Sequence, residues 1–137
     1  MIYALDSNII SGILKKDEII INRYRHEIIQ GKEFIIPPIV FYEIQRGLLA
    51  KNMLNRLRNF TDFCKDIKIG EFNLQVWRKA AEIYADLSKQ GKPIGTNFDG
   101  DIFIAAYCVI SGYTLITNNK DHFGRIDCLQ FENWSFD

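Results

Sequence analysis

Short apolar segments alternate with helix-like segments along this chain, and that alternation limits its fold more than any other feature. The apolar segments are three or four residues long, and polar or turn-forming residues follow most of them. They cover residues 2–5, 34–36, 67–69, 113–116 and 128–131. Strands that alternate with helices favour a parallel sheet with helices on both faces. We therefore predict an α/β fold of three layers, in which helices cover a short parallel sheet.

Helix start and stop signals lie between the predicted strands. Asp17 and Asn73 can each accept hydrogen bonds at the start of a helix, and Pro38 suits the first turn of another. Gly112 can end the very apolar helix over residues 102–110. In the helix after Asn73, apolar residues at i, i+3, i+4 and i+7 predict a buried face. That face comprises Trp77, Ala80, Ala81, Tyr84, Leu87 and Ser88.

The composition describes one ordinary globular domain over residues 1–137. Hydrophobic residues make up 47% of the chain and charged residues 25%. The 17 basic residues balance the 17 acidic ones, which argues against a protein that binds nucleic acid through a large excess of positive charge. An acidic pocket surrounded by basic residues would give the same sum. The charge balance therefore leaves a local nucleic-acid site open.

The cysteines and the apolar runs indicate a cytoplasmic protein that does not enter a membrane. Cys64, Cys108 and Cys128 are odd in number and form no C-x-x-C pair, so we expect reduced thiols in the core. The longest apolar run, residues 102–110, is about half the length of a membrane-spanning helix. The first residues also lack the basic and apolar regions of a signal peptide.

Carboxylates lie near the expected carboxyl ends of the strands, where ligands bind in parallel sheets. Asp6 directly follows the first strand, and Glu43 lies in the helix after the second. Asp101 begins the apolar helix and faces its buried stripe, with Asp99 as the expected N-cap. The polar segment 117–121 follows a later strand. Clustered carboxylates are tolerated when they share protons or bind a cation, and oxygen ligands suit Mg²⁺ or Mn²⁺.

Each acid also has an interpretation without catalysis. Asp6 could serve only as a helix cap, and Asp101 could only complement a helix dipole. Glu43 could lie on a solvent face. If Asp6 holds a metal ion, capping of the first helix is left to Ser7 or Asn8.

Five motifs in a fixed order resemble those of PIN-domain ribonucleases, specifically the VapC-type toxins of bacterial toxin–antitoxin pairs. They cover residues 5–8, 42–47, 91–95, 101–106 and 117–123. The resemblance implies a PIN-like fold and a Mg²⁺- or Mn²⁺-dependent endoribonuclease that cuts structured RNA, such as a tRNA or rRNA loop, with metal-activated water. It further implies a homodimer restrained by a VapB-type antitoxin, whose carboxyl-terminal segment covers the site.

Roles follow from this resemblance position by position. Asp6, Glu43 and Asp101 match the acids that hold metal, and they form the expected catalytic set. Polar residues are expected to support them through hydrogen bonds; these are Ser7, Asn8, Thr117 and Asn118.

The fourth position of the metal site stays open between three residues. Alignment on the 117–119 segment favours Asn119, whereas the nearest acid is Asp121. The stretch 96–100 is longer than in many relatives and could bring Asp99 into the site. His122 stands where several relatives carry an acid, and we expect it to be a structural or surface residue.

Basic residues beside the motifs could contact the RNA backbone. The candidates are Arg46, Lys92 and Lys120, together with Lys15 and Lys16. A solvated surface charge is the alternative for each of them. The basic, apolar-striped segment 52–66 is a candidate contact surface for a partner.

Two other functions fit parts of the pattern. A non-catalytic PIN-like module would bind RNA or protein and use the acids only as caps. A phosphoacceptor regulatory domain also binds Mg²⁺ over a parallel sheet, but it needs paired acids where this chain has only Asp6.

Overall fold

The computed structural model describes residues 1–92 and 99–134. In these ranges, five strands form one sheet in the order β3-β2-β1-β4-β5, and every neighbouring pair is parallel. The strands are β1 (Ile2–Leu5), β2 (Glu33–Ile36), β3 (Lys68–Ile69), β4 (Thr114–Ile116) and β5 (Phe131–Glu132). The predicted parallel α/β fold is therefore confirmed.

Seven helices accompany this sheet in the described residues. They are α1 (Ser7–Leu14), α2 (Glu18–Ile29), α3 (Pro38–Ala50), α4 (Leu54–Phe63), α5 (Leu74–Lys89), α6 (Gly100–Ser111) and α7 (Lys120–Phe123). None of them is both long and apolar enough to cross a membrane. Most of the 96–100 stretch lies outside the described ranges.

The central position of β1 explains where a ligand can bind. The chain adds β2 on one side of β1 and β4 on the other, so the order of strands reverses between β1 and β4. Leu5 pairs with Ile116 at the carboxyl ends of these strands. The next backbone amide, that of Asp6, donates to the Ile116 carbonyl at 2.9 Å. The residues that follow β1 and β4 are therefore neighbours at the switch point.

The core is built on both faces of β1 and β4. Trp134 is 1% exposed, and its ring packs edge-on against Tyr3 and Phe34. Of the three free cysteines, Cys108 is buried as predicted. Cys128 is exposed, so its prediction as a core thiol was wrong. It belongs to the turn before β5 and not to a strand.

Most of the local helix signals act as predicted. The Asp17 carboxylate accepts from the Ile20 amide at 3.2 Å, and the Asn73 side chain accepts from the Val76 amide at 3.1 Å. Gly112 ends α6 with φ of 75°, a left-handed conformation that glycine adopts without strain. Asp99 precedes α6, but its side chain makes no capping hydrogen bond. Asp99 is nevertheless the N-cap residue of α6, as predicted.

The predicted buried face of α5 was displaced by one residue. Val76, Ala80, Ile83 and Leu87 face the core, whereas Trp77 and Tyr84 are 48% and 54% exposed. The helical period was correct and only its phase was wrong. Trp77 packs on neighbouring aromatic rings instead of entering the core, and its centroid lies 5.1 Å from that of Phe103.

Candidate active site

Asp6 lies in a buried position at the end of β1, with a hydrogen bond on each carboxylate oxygen. Its Oδ1 accepts from the Ser7 amide at 2.8 Å, and its Oδ2 accepts from the Thr117 hydroxyl at 2.7 Å. Only 5% of the residue is exposed. Asp6 is also the N-cap of α1, so the expectation that Ser7 or Asn8 would replace it as the cap was wrong. A carboxylate oxygen can take about two partners, so each oxygen keeps a lone pair for a ligand.

Hydrogen bonds tie the segment after β1 to the segment after β4. The Asn118 amide donates to the Asn8 side chain at 3.2 Å, and the Asn119 amide donates to the Thr117 hydroxyl at 3.0 Å. The side chains of Asn8 and Thr117 thus hold the two segments together through hydrogen bonds. Ser7 reaches Asp6 through its backbone amide. The Asn118 Oδ1 atom is buried and has no hydrogen-bond partner in the structure, which leaves an unsatisfied acceptor in this segment.

Asp101 faces the same edge of the sheet from the first turn of α6. Its Oδ2 lies 2.7 Å from His122 Nδ1 and accepts a long hydrogen bond of 3.4 Å from the Asn119 side chain. The Asn119 Nδ2 and His122 Nδ1 atoms are 3.1 Å apart. Of the candidates for the fourth position, Asn119 therefore adjoins Asp101, whereas Asp99 and Asp121 are exposed.

His122 is part of this group through its contact with Asp101, and its expected role as a structural or surface residue stays a prediction. Its ring is partly exposed and projects from the short helix α7 towards Asp101. Spacing alone could not tell which residue of α7 faces the site.

Glu43 lies on α3 at the rim of the site, half-buried. Burial, followed by the negative charges of Asp6 and Asp101, raises its pKa to about 6, although the charge of Arg46 opposes this rise. Burial also raises the pKa of Asp6, which the hydrogen bonds from Thr117 and Ser7 oppose. The three predicted acids are thus near enough to affect one another's ionisation.

The donor set fits a hard divalent cation. Carboxylates on three separate elements converge on one edge of the sheet, and each would be relieved of repulsion by a positive ion. Within residues 1–92 and 99–134, however, no three side chains of His, Cys, Asp or Glu form a ready-made metal-binding group.

A groove of about 660 Å³ opens beside Glu43, between α1, α3 and α4. Ser7, Asn8 and Ser11 line it with polar groups, and Lys15, Lys51 and Arg56 are its basic residues. Lys15 was a candidate from the sequence. Lys51 and Arg56 were missed because they lie outside the motifs, although the basic character of segment 52–66 included Arg56.

The other basic candidates lie on the surface. Arg46, Lys92 and Lys120 are exposed, and none of them lines the groove. The Arg46 guanidinium lies 5.1 Å from the centroid of the Tyr42 ring, one helical turn from Glu43.

Fold and site together define a parallel α/β protein with an acidic centre at the carboxyl ends of its central strands. The sequence pattern of the PIN domain matches residues 3–128, and the chain belongs to that family. The resemblance found in the motifs is therefore confirmed.

Similar proteins within the family carry the name VapC. Ribonuclease VapC2 of Haemophilus influenzae is 32% identical over 134 residues, which is 96% of this chain and 97% of the relative. The tRNA(fMet)-specific endonuclease VapC of Shigella flexneri is 28% identical over 134 residues, with 97% and 98% covered. The chain is thus similar to these proteins over nearly its entire length.

Solved structures agree with this assignment. A chain of VapBC2 from Rickettsia felis, bound to a DNA fragment from the promoter, superposes with a TM-score of 0.86 at 28% identity and covers 98% of this chain and 100% of its own. A chain of VapBC-1 from nontypeable Haemophilus influenzae gives 0.84 at 28% identity, with 98% and 99% covered.

Proposed function

We propose that this chain, as a single PIN-like domain over residues 1–137, is a Mg²⁺- or Mn²⁺-dependent endoribonuclease and the toxin of a toxin–antitoxin pair. It hydrolyses phosphodiester bonds in structured RNA, such as a tRNA or rRNA loop, in the cytoplasm. The observation that carries the proposal is that Asp6, Glu43 and Asp101, on three different elements, lie near enough for their charges to raise one another's pKa. The names of the similar proteins support the RNA substrate.

The three acids would hold the divalent ion, and their supports fix where it can lie. When bound, such an ion acts as a Lewis acid for the phosphate and makes water a better nucleophile. Asp6 is held by the Ser7 amide and the Thr117 hydroxyl, so its carboxylate needs little reorganisation. Asp101 is oriented by contacts with α7.

Glu43 supplies the third carboxylate on the groove side of the site. With its pKa raised to about 6, it is partly protonated in mildly acidic solution and mostly ionised above pH 7. The ionised form is the one that binds a cation. We therefore expect the cation to bind more weakly below about pH 6, where Glu43 of the metal-free protein gains its proton.

The basic residues of the groove would bind the RNA backbone. Lys15, Lys51 and Arg56 line the groove that opens beside Glu43. Phosphate contacts of this kind position a nucleic acid without reading its sequence. A local basic surface next to an acidic centre also explains how a chain with no net charge could act on RNA.

The proposed partners are a VapB-type antitoxin and a second copy of the chain. Two of the similar structures are VapBC complexes, which supports the antitoxin. The homodimer rests on the family resemblance. We expect the antitoxin to inhibit cleavage by covering the acidic site.

Mapping of RNA ends in cells tests this function. The chain is induced without antitoxin, and new RNA ends are compared with those from Asp6→Asn, in which the acid at the end of β1 is lost. The matched control is Asp86→Asn, because Asp86 is an exposed acid on α5. We expect discrete new RNA ends with the unchanged chain and with Asp86→Asn, and no new RNA ends with Asp6→Asn. Equal cleavage with Asp6→Asn would mean that the new RNA ends do not come from this acidic site, and it would favour a non-catalytic chain or a contaminating nuclease.

A further inference from the structure

Glu132 in the edge strand β5 is connected to the acidic site through its backbone. The Thr117 amide, just after the end of β4, donates to the Glu132 carbonyl at 3.0 Å. The hydroxyl of the same threonine donates to the Asp6 carboxylate at 2.7 Å. Thr117 therefore links the last strand of the described sheet to the buried acid at the end of β1.

The side chain of Glu132 is held by donors from three parts of the fold. Arg23 Nη2, on α2, lies 3.4 Å from Glu132 Oε1, and the indole N–H of Trp134 donates to the same oxygen at 3.4 Å. The hydroxyl of Tyr3, on β1, also donates to this carboxylate. The Glu132 side chain thus joins α2, β1 and the tail at one point.

Arg23 is itself held in place by other contacts. Its Nε donates to Glu27 Oε1 at 3.0 Å, and Glu27 is buried. Its guanidinium also lies 5.5 Å from the centroid of the Trp134 ring. Exposed ion pairs contribute little when two long side chains must be ordered to form them. Because Glu27 and the indole ring already order Arg23, less freedom is lost when it binds Glu132.

The side-chain contacts of Glu132 matter because β5 is only two residues long. Short edge elements with few backbone hydrogen bonds open easily unless side chains hold them. If β5 opened, the Thr117 amide would lose the Glu132 carbonyl, and the hydroxyl beside Asp6 would lose its fixed position. The contacts of Glu132 therefore act on the acidic site from the far side of β4.

We infer that Glu132 is a positioning residue of the acidic site. Its side chain holds β5 against β4, and its carbonyl fixes Thr117 so that the threonine hydroxyl orients Asp6. The inference rests on the metal site proposed above and adds a residue, outside that site, on which the affinity for the ion depends. Glu132 lies beyond the last of the five sequence motifs.

Amide hydrogen exchange of the metal-free protein, followed by NMR, tests the connection to Thr117. Glu132→Ala removes every side-chain contact, Glu132→Gln keeps the size and an acceptor oxygen, and Glu71→Gln is the control because Glu71 is exposed. The Thr117 amide should exchange roughly tenfold faster in Glu132→Ala, less so in Glu132→Gln, and at the unchanged rate in the control. An unchanged Thr117 rate would overturn the inference. So would an equal increase at the buried Ile83 of α5, because Glu132 would then only stabilise the whole fold.

Mn²⁺ affinity, measured from the electron paramagnetic resonance signal of the free ion, tests the effect on the site without any RNA cleavage. The dissociation constant should rise roughly tenfold in Glu132→Ala and recover in part in Glu132→Gln, which carries the test if the alanine variant does not fold. In a Thr117→Val background, the same Glu132 variants should have no further effect, because both positions act on Asp6 through one hydroxyl.

The possible results separate this inference from the metal site on which it rests. An unchanged chain that binds no Mn²⁺ would contradict the metal site and the inference with it. Mn²⁺ affinity that neither Glu132 variant alters would contradict the inference alone. Additive losses in Thr117→Val would also overturn it, because Glu132 would then act on the ion by a route other than the threonine hydroxyl.

Discussion

The Thr117 hydroxyl makes the hydrogen bonds whose loss should damage the site most while leaving the shape of the site unchanged. It donates to the buried Asp6 carboxylate at 2.7 Å and accepts from the Asn119 amide at 3.0 Å. Valine has nearly the same shape as threonine but can make neither bond. A hydrogen bond to a charged group contributes about 1.5–3 kcal/mol and a neutral one about 0.5–1.5 kcal/mol. Thr117→Val should therefore lower the free energy of unfolding by about 3 kcal/mol.

Urea unfolding in the presence of EDTA measures this loss, with Thr117→Ser as the control. Serine keeps both hydrogen bonds and removes one buried methyl group, so it should cost only about 1 kcal/mol. A loss below about 1 kcal/mol for Thr117→Val, or an equal loss for both variants, would refute the assigned role of the hydroxyl.

The pH dependence of the loss gives a further check. Burial raises the pKa of Asp6 and the Thr117 hydrogen bond lowers it, so valine raises that pKa further. A carboxyl whose pKa is higher in the folded protein contributes stability below its unfolded pKa and loses it as the pH rises. The deficit of Thr117→Val should therefore be larger at pH 8 than at pH 4.5.

Two further variants test the electrostatics and the packing. In the absence of metal, the folded protein raises the pKa of Glu43 from its ordinary value of 4.5 to about 6. The folded protein therefore loses stability as the pH rises from 4.5 through about 6. Solvent screening of this half-exposed group reduces that cost to about 1 kcal/mol. The free energy of unfolding of Glu43→Gln, measured with urea, should therefore be higher than that of the unchanged chain by about 1 kcal/mol at pH 7.5 and equal to it at pH 4. Gly70→Ala should lower the free energy of unfolding by about 1–3 kcal/mol, because a Cβ there would overlap the Tyr107 hydroxyl. Partial recovery with Tyr107→Phe in a thermal melt would identify the clash, whereas full stability of Gly70→Ala alone would contradict it.

Local signals in the sequence were enough to predict the elements of the fold. Caps at Asp17 and Asn73, the proline at the start of α3 and the glycine after α6 act over a few residues, and each behaves as its chemistry predicts. Asp6 and the segment after β4 could be placed together in advance because parallel strands present their carboxyl ends at one edge. Asp101 begins α6, a helix that leads into β4, so this rule did not place it and only the family resemblance did.

The errors arose where tertiary contacts decide between neighbouring residues. The spacing on α5 gives a period but not its phase, and Trp77 packs beside α6 while Val76 enters the core. The contact between His122 and Asp101 could not be predicted, because the orientation of the short helix α7 depends on how it packs after β4. Lys51 and Arg56 were missed because they come to the groove from the end of α3 and from α4, which are far from Asp6 in sequence.

Cleavage of a bulk transfer RNA pool by the purified chain tests the central claim most directly. With Mn²⁺ or Mg²⁺, the unchanged chain and Asp86→Asn should cut the RNA at defined positions. Excess EDTA should stop the reaction, and Asp101→Asn should slow it roughly 100-fold, since it removes one proposed ligand of the ion. Cleavage that continues in EDTA, or at the unchanged rate with Asp101→Asn, would contradict a metal-dependent acidic site.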